Sequence, residues 1–249
     1  MDTAKSNTNV YDFSRFGLTD MTRCGIDLRR IGAGAGSMEE TASRVVRYLY
    51  DGLRDPSLEQ PACALVRMFV TLPFDALETK QQSFATTVLG RAPDPPSMKC
   101  LTLLATAGDL PDWNSRTTSK GHQALPLPSA EAVSRSPMIA QLIRQLGLEI
   151  SAFLSDSALL IDSTQHTFNV FYVGNAVGSA VIPAQQEFVI PHGVQSVLGF
   201  GGLLPSGELF ATILFSKTHI PRDIADLFKT LALNVKVALL PFVGTRIFS

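Results

Sequence analysis

The segment from Gly193 to the C-terminus constrains the fold more than any other part of the chain. It holds two apolar runs, 196–204 and 208–217, which flank a Pro-Ser-Gly turn at 205–207. Apolar runs of this length around such a turn predict a β-hairpin. A helical pattern follows from Pro221, since proline favours the first position of a helix, and Pro241 stops it near residue 240. The segment therefore predicts a hairpin backed by a long helix.

Upstream of this segment, helical and extended patterns alternate irregularly. Ser37, followed three residues later by Glu40, is typical of a capping box at a helix start. Helices are predicted over 38–54, 75–89 and 137–146, and strands over 62–70, 100–106 and 168–173. This order excludes a uniform βαβ pattern and predicts an α+β fold: an antiparallel central sheet with flanking helices, packed on one face.

Residues 1–36 differ from the rest of the chain and are predicted to be a partly flexible N-terminal extension, while 37–249 form one domain. The stretch 32–36 reads Gly-Ala-Gly-Ala-Gly and precedes a helix. A phosphate-binding loop is one interpretation, but no Gly-Lys-Ser follows and no apolar strand precedes it. We expect a hinge instead.

Composition narrows the class of partner and the location. Charged residues make up 17% of the chain and the net charge is −1, so we expect neither nucleic acid nor a membrane surface as a partner. No secretion signal or membrane-length apolar run is present. Three widely spaced cysteines indicate reduced thiols rather than a disulfide framework. These features predict a cytoplasmic protein.

No catalytic constellation stands out in the sequence. The four histidines are far apart, no Gly-x-Ser-x-Gly elbow is present, and no metal-ligand spacing occurs. The nearest approach to an enzyme site is a set of polar residues that the fold would have to assemble, namely Asp112, Arg116, His122 and His192. A haem ligand role is the other alternative, for His122, His166 or His192. The sequence does not identify a cofactor.

Aromatic residues give a better indication of a binding site. Phe168 and Tyr172 fall on one face of the predicted strand 168–173, and Phe171 falls on the other. Trp113, the only tryptophan, lies in a polar loop where it would cap either a cavity or a bare patch of core. The predicted ligand-binding residues are therefore Trp113, His122, Phe168, Tyr172 and His192.

The closing segment resembles the end of a GAF domain, the ligand-sensing fold of bacterial signalling proteins such as sensor kinases. His192-Gly-Val-Gln-Ser-Val-Leu198 looks like the approach to the penultimate strand, and Leu209-Phe-Ala-Thr-Ile-Leu-Phe-Ser216 looks like the last strand. The helix over 38–54 and the strand over 62–70 agree in order with the start of a GAF- or PAS-like domain. The family's cysteine and cyclic-nucleotide signatures are absent.

The resemblance implies a sensory module over 37–249 that holds a small-molecule ligand between the sheet and the loops 108–128 and 174–193. Ligand state would pass through the helices 38–54 and 221–240 to an output protein or domain, or to a second subunit. Extra apolar residues on the final helix (Ala232, Leu233, Val237 and Leu240) predict a homodimer. The alternatives are an enzyme at the polar set described above and an interaction scaffold without a working pocket.

Overall fold

The computed structural model describes residues 9–57, 60–155 and 169–249. Its strands in chain order are β1 (Tyr11–Asp12), β2 (Leu53–Asp55), β3 (Gln60–Pro61), β4 (Cys63–Pro73), β5 (Lys99–Gly108), β6 (Ala124–Pro126), β7 (Val170–Val173), β8 (Ser196–Leu203) and β9 (Leu209–Ser216). Strands β4–β9 form one antiparallel sheet in the order β6-β5-β4-β9-β8-β7. Strands β1–β3 form a second, small sheet. The predicted α+β class with an antiparallel central sheet is confirmed.

The helices in chain order are α1 (Leu18–Arg30), α2 (Met38–Gly52), α3 (Thr79–Leu89), α4 (Ala130–Ser134), α5 (Pro137–Gln145), α6 (Ile150–Leu154) and α7 (Arg222–Leu239). The opening helix, first long strand, closing hairpin and final helix occur in the order that the GAF resemblance implies. In the described part of the chain, no helix is both long and apolar enough to span a membrane.

The closing hairpin has the predicted form. β8 and β9 pair without interruption from Ser196 with Ser216 to Leu203 with Leu209. The turn between them is closed by the Leu204 amide, which donates to the Glu208 carbonyl at 2.8 Å. Gly207 adopts a φ of 91°, in the left-handed region that glycine enters at no steric cost.

A close backbone contact explains one of the glycines in this hairpin. A Cβ atom on Gly201 would lie 2.1 Å from the carbonyl oxygen of Phe210 on β9. The glycines of β8 indicate either a bulge or such a close approach. Because the β8–β9 register is regular, close approach is the reason at Gly201.

One side of the central sheet, here called the first face, is covered by the long helices. Phe228 of α7 packs against Phe200 of β8, with ring centroids 5.7 Å apart, and against Phe16 at 5.1 Å. α2 joins this layer through buried Val45, Val46 and Leu49. Aliphatic and aromatic burial of this extent is the main stabilising contribution to the fold.

The start of α2 is capped nearly as predicted. The Ser37 hydroxyl accepts a hydrogen bond from the Glu40 amide at 3.0 Å. The Glu40 carboxylate accepts from the amide of Gly36 at 2.7 Å, one residue earlier than a capping box requires. Glu40 also pairs with Arg44 one turn later, at 2.6 Å.

Helix α1 lies within the predicted N-terminal extension, yet it packs against α7. Cys24 and Leu28 are buried, and a Cβ on Gly25 would lie 2.8 Å from the Asn234 amide nitrogen. The Arg29 guanidinium donates to the Asn234 side-chain oxygen at 3.2 Å. The domain boundary at residue 36 stays a prediction, but α1 shares the core of the residues that follow it.

The opposite side of the sheet, here called the second face, is covered by shorter elements. Helices α4–α6 and the two loops 109–123 and 174–195 lie over it. Helices therefore cover both faces, and the expectation of helices on one face was wrong. The second face holds a separate apolar cluster that includes Phe69, Phe171 and Ile213.

Candidate functional site

A single arginine interrupts the apolar second face at its centre. Arg67 lies in β4 between Leu65 and Phe69, which both belong to the apolar cluster of that face. The residue is only 8% exposed. A buried cation normally has an anionic partner, because desolvation of an isolated charge costs several kcal/mol, roughly.

Arg67 has no such partner among the described residues. Its Nη2 donates to the Ser119 hydroxyl at 2.8 Å, and its Nη1 reaches the Gly121 carbonyl at 3.4 Å. Its Nε is buried and makes no hydrogen bond within that part of the chain. Burial lowers the pKa of Arg67 to about 10, so the guanidinium stays protonated at neutral pH. The site thus holds an uncompensated positive charge.

A second unsatisfied polar atom lies beside this arginine. Thr106 of β5 is directly opposite Arg67 in the register, so the two side chains are cross-strand neighbours on the second face. Thr106 is 5% exposed, and its hydroxyl is buried without a partner in the described structure. We call Arg67, Thr106 and Ser119 the Arg67 site.

The loop over residues 109–123, here called the cover loop, closes the Arg67 site from solvent. Asn114 shapes its first half, since its side chain bonds the Gly108 carbonyl at 3.0 Å and the Leu110 carbonyl at 2.9 Å. The Ser119 amide donates to the Ser115 carbonyl at 3.0 Å, which turns the loop back over β4. Buried Ser119 then faces the guanidinium.

An aromatic cluster ties the cover loop to the loop 174–195. The Trp113 ring lies 4.7 Å from the His192 ring and 5.7 Å from Phe188, measured between centroids. Phe188 in turn contacts Phe215 of β9 at 4.9 Å. The predicted binding residues Trp113 and His192 are therefore neighbours.

His122 ends the cover loop near the Arg67 site. Its φ is 61°, in the left-handed region that few residues other than glycine adopt. Desolvation by the surrounding protein lowers the pKa of the His122 imidazole, and the positive charge of Arg67 lowers it further.

The remaining predicted binding residues are elsewhere. The Tyr172 hydroxyl donates to the Ile220 carbonyl at 2.5 Å, and its ring packs with the core of the first face. The guanidinium of Arg222 lies 5.3 Å from the centroid of that ring. Phe168, and His166 of the haem alternative, lie outside the described residues.

The polar set of the enzyme alternative is not assembled. No hydrogen bond, ion pair or ring contact joins any two of Asp112, Arg116, His122 and His192 in the structure as described. His192 packs against Trp113 and Phe188, so a haem role would first require it to leave both rings. Residues 9–57, 60–155 and 169–249 contain no cluster of three metal-ligating side chains.

The three cysteines are buried and form no disulfide in this structure. Burial raises the pKa of Cys100 to about 12, and that of Cys24 to about 12 as well. Thiols with such a pKa are almost fully protonated at neutral pH, which makes them poor nucleophiles.

Arg116 connects the cover loop to distant parts of the chain. It forms ion pairs with Glu39 in the first turn of α2 and with Glu78 before α3, each at 2.6 Å. Its guanidinium also lies 4.8 Å from the ring centroid of Phe248. Burial by itself lowers the pKa of Arg116, but the hydrogen bonds to Glu39 and Glu78 raise it above its ordinary value.

The C-terminal segment is bonded to the same turn of α2. The amides of Met38 and Glu39 donate to the carbonyls of Arg246 and Ile247, at 3.0 and 2.8 Å. The Ser249 amide donates to the Glu39 carboxylate at 3.0 Å. Arg116 therefore joins the cover loop to the start of α2 and to the end of the chain.

The structure also has a shallow surface depression of about 480 Å³ beside α4, α5 and α6. Arg144 and Glu149 line it, together with small and aliphatic residues. No predicted site residue lies there, and none of its lining side chains has a buried atom without a hydrogen bond. We do not place the functional site in it.

Comparisons with known proteins add little about function. No protein-family model matches the chain, and no curated protein matches it. Solved structures align with it at 10% identity. One is the GAF domain of a phosphoenolpyruvate-protein phosphotransferase (ptsP) from Coxiella burnetii, with a TM-score of 0.46 and coverage of 91% of this chain and 94% of that one. Another is free methionine-R-sulfoxide reductase from Neisseria meningitidis in complex with its substrate, with a TM-score of 0.47 and coverage of 93% of this chain and 97% of that one.

A third is the GAF domain of the Acinetobacter phosphoenolpyruvate-protein phosphotransferase, with 10% identity, a TM-score of 0.43, and coverage of 92% of this chain and 97% of that one. Two of the three are thus named as GAF domains, the family that the closing segment resembles. Because the TM-scores lie below 0.5, these alignments identify neither a ligand nor an activity for this chain.

The Arg116 connection makes a prediction for stability. Arg116→Gln removes the ion pair between Arg116 and Glu39, two side chains that are only 10% and 16% exposed. We expect this change to lower the free energy of unfolding by about 2–3 kcal/mol. Arg135→Gln is the matched control, since its pair with Glu131 is 74% and 77% exposed and contributes less than about 0.5 kcal/mol. Urea unfolding measures both, and equal losses in the two variants would contradict the role of Arg116.

Proposed function

We propose that this chain is a small-molecule sensing module whose ligand binds on the second face, beneath the cover loop. The observation that carries the proposal is the double attachment of this loop. It covers an unpaired buried cation through Ser119, and it is anchored to α2 and to Phe248 through Arg116. A ligand that displaces the loop would therefore act on the start of α2 and on the C-terminal segment.

The proposed sequence of events starts at the Arg67 site. A ligand takes the place of Ser119 and Gly121 against the guanidinium, so the cover loop moves away from β4. Trp113 shifts against His192 and Phe188, and the Arg116 pair with Glu39 weakens or reorients. Helix α2 packs in the same layer as α7, so the change reaches both terminal helices and an output protein or domain.

The single tryptophan gives a direct test of ligand-dependent loop motion. Trp113 is the only tryptophan in the chain, so its fluorescence reports the cover loop without interference. In a screen of small metabolites, charged and neutral, we expect at least one compound to change this fluorescence saturably and to raise the melting temperature. Arg116→Gln should keep the fluorescence change but reduce ligand-dependent protection of amides in the first turn of α2.

The control for this screen is Arg135→Gln, which should behave as the wild type in both readouts. A chain that responds to no compound would contradict the sensing proposal and favour the scaffold alternative. Turnover of a bound compound would favour the enzyme alternative instead.

We also propose that the chain forms a homodimer, through fewer residues of the final helix than the sequence indicates. Ala232 of α7 is fully buried, and α1 covers part of the apolar surface that predicted a second subunit. Leu233 of α7 and Leu240, which caps the C-terminal end of that helix, remain 43% and 40% exposed, and their spacing of seven residues places them on one side. We propose that this side of α7 is the dimer contact.

Light scattering on size-exclusion fractions tests the dimer. We expect a dimer for the wild type and a monomer for Leu233→Glu, because a charge cannot be buried at an apolar contact without a partner. Val88→Glu is the control, since Val88 is 51% exposed on α3, away from this surface. A wild-type monomer at high protein concentration would contradict the contact.

A further inference from the structure

We propose that the ligand of this module is a small monocarboxylate, whose carboxylate group binds the guanidinium of Arg67 and the hydroxyl of Thr106. This inference rests on the proposed function and names the chemical class of its ligand. It depends on three features of the Arg67 site: unused hydrogen-bond donors, unbalanced charge and a cover that can be exchanged.

The unused donors are on Arg67 and Thr106. A guanidinium has five N–H groups, and the two hydrogen bonds to Ser119 and Gly121 use two of them. The bond to Gly121 is long at 3.4 Å, so it satisfies its N–H weakly. Buried Nε and the buried Thr106 hydroxyl have no partner among the described residues. A carboxylate accepts from a guanidinium through two oxygens and has further lone pairs for a hydroxyl.

The charge balance favours an anion over a neutral ligand. Arg67 forms no ion pair with any described carboxylate, and the nearest strand neighbours on its face are apolar apart from Thr106. A buried cation without a counter-ion destabilises the folded state. A bound anion would remove that cost, so the free energy that the unpaired charge costs the ligand-free protein would contribute to the affinity for the anion.

A single negative charge matches the site better than a phosphate dianion does. Two other cations near the cover loop are engaged, since Arg116 pairs with Glu39 and Glu78, and the Lys80 ammonium donates to the Thr117 carbonyl at 2.7 Å. Lys120 of the loop is exposed to solvent, and the lowered pKa of His122 favours its neutral form. Arg67 is thus the one buried cation of the Arg67 site, so the site favours a monoanion, and the planar guanidinium suits a carboxylate.

Displacement of the cover loop would make room for the ligand at the Arg67 site. Ser119 and Gly121 are the groups that a ligand would replace, and both belong to a loop rather than to the sheet. Because the space comes from displacement of these few loop residues, the ligand is small, and its apolar part would face Ile213 and Phe69, the neighbours of Arg67 on the second face.

The test is a titration with monocarboxylates and their neutral amides. Acetate, pyruvate and benzoate are compared with acetamide and benzamide, and with inorganic phosphate, at one ionic strength set with sodium chloride. Melting temperature and Trp113 fluorescence are the readouts. We expect a saturable response to at least one carboxylate, at least tenfold weaker binding of its amide and of phosphate, and loss of the response in Arg67→Met.

Arg67→Met has a second expected result. Removal of an unpaired buried cation leaves the melting temperature of the ligand-free protein unchanged or raises it. Arg91→Met, at an exposed position, is the matched control and should bind the carboxylate as the wild type does. If Arg67→Met fails to fold, Arg67→Lys replaces it: it keeps the charge but loses the planar fork, and should weaken carboxylate binding at least tenfold.

The outcomes separate this inference from the proposed function. If an amide or phosphate binds as tightly as the carboxylate, or if both Arg67 variants retain wild-type affinity, the carboxylate assignment is wrong. If only neutral compounds from the metabolite screen change Trp113 fluorescence, the sensing proposal stands and the carboxylate assignment falls. If no compound in either set produces a response, both are contradicted.

Discussion

The antiparallel pairing of β4 with β9 at the centre of the sheet organises the whole fold. It joins the first long strand of the chain to the last, from Cys63 with Ser216 to Val70 with Phe210. Thr71 extends the junction, since its hydroxyl accepts from the Leu209 amide at 2.9 Å. Because this pair lies at the centre of the sheet, the segments before β4 and after β9 meet in one helical layer.

This arrangement gives the two faces of the sheet different properties. The first face is a continuous apolar core under α1, α2 and α7. The second face carries one cation in the middle of β4 and is closed there by a loop. Apolar burial on the first face stabilises the fold, and this offsets the cost of the unfavourable charge on the second face. Polar groups that the fold leaves unsatisfied are where functional sites are expected.

The local patterns predicted much of the fold. The hairpin, α2 and α7 followed from turn residues, caps and helical spacing near Ser37, Gly207 and Pro221. Helix α1 was missed because its buried positions include Cys24 and Gly25, which contribute little apolar signal although Met21, Cys24 and Leu28 have helical spacing. Which face of a strand binds ligand depends on tertiary packing, so Tyr172 could not be assigned to the first face from the sequence.

The candidate site was predictable only in part. The polar loop around Trp113 indicated a cap, and the structure brings its ring beside that of His192, another predicted binding residue. Arg67 is the one charged residue of the predicted strand 62–70, but strand alternation alone does not show whether a carboxylate faces it. Thr106 and Ser119 depend on the β4–β5 register and on the path of the cover loop, which no local pattern specifies.

The proposed function requires that the cover loop opens from the Arg67 site while the sheet stays folded. Native-state hydrogen exchange measures this directly, because the Gly108 amide at the end of β5 donates to the side-chain oxygen of Asn114 in the cover loop at 3.2 Å, a bond that breaks when the loop leaves the sheet. We expect this amide to exchange through a local opening, several kcal/mol below the free energy for β4 and β9, roughly. Exchange of the Gly108 amide only together with the β4–β9 amides, in global unfolding, would show that the loop does not open by itself.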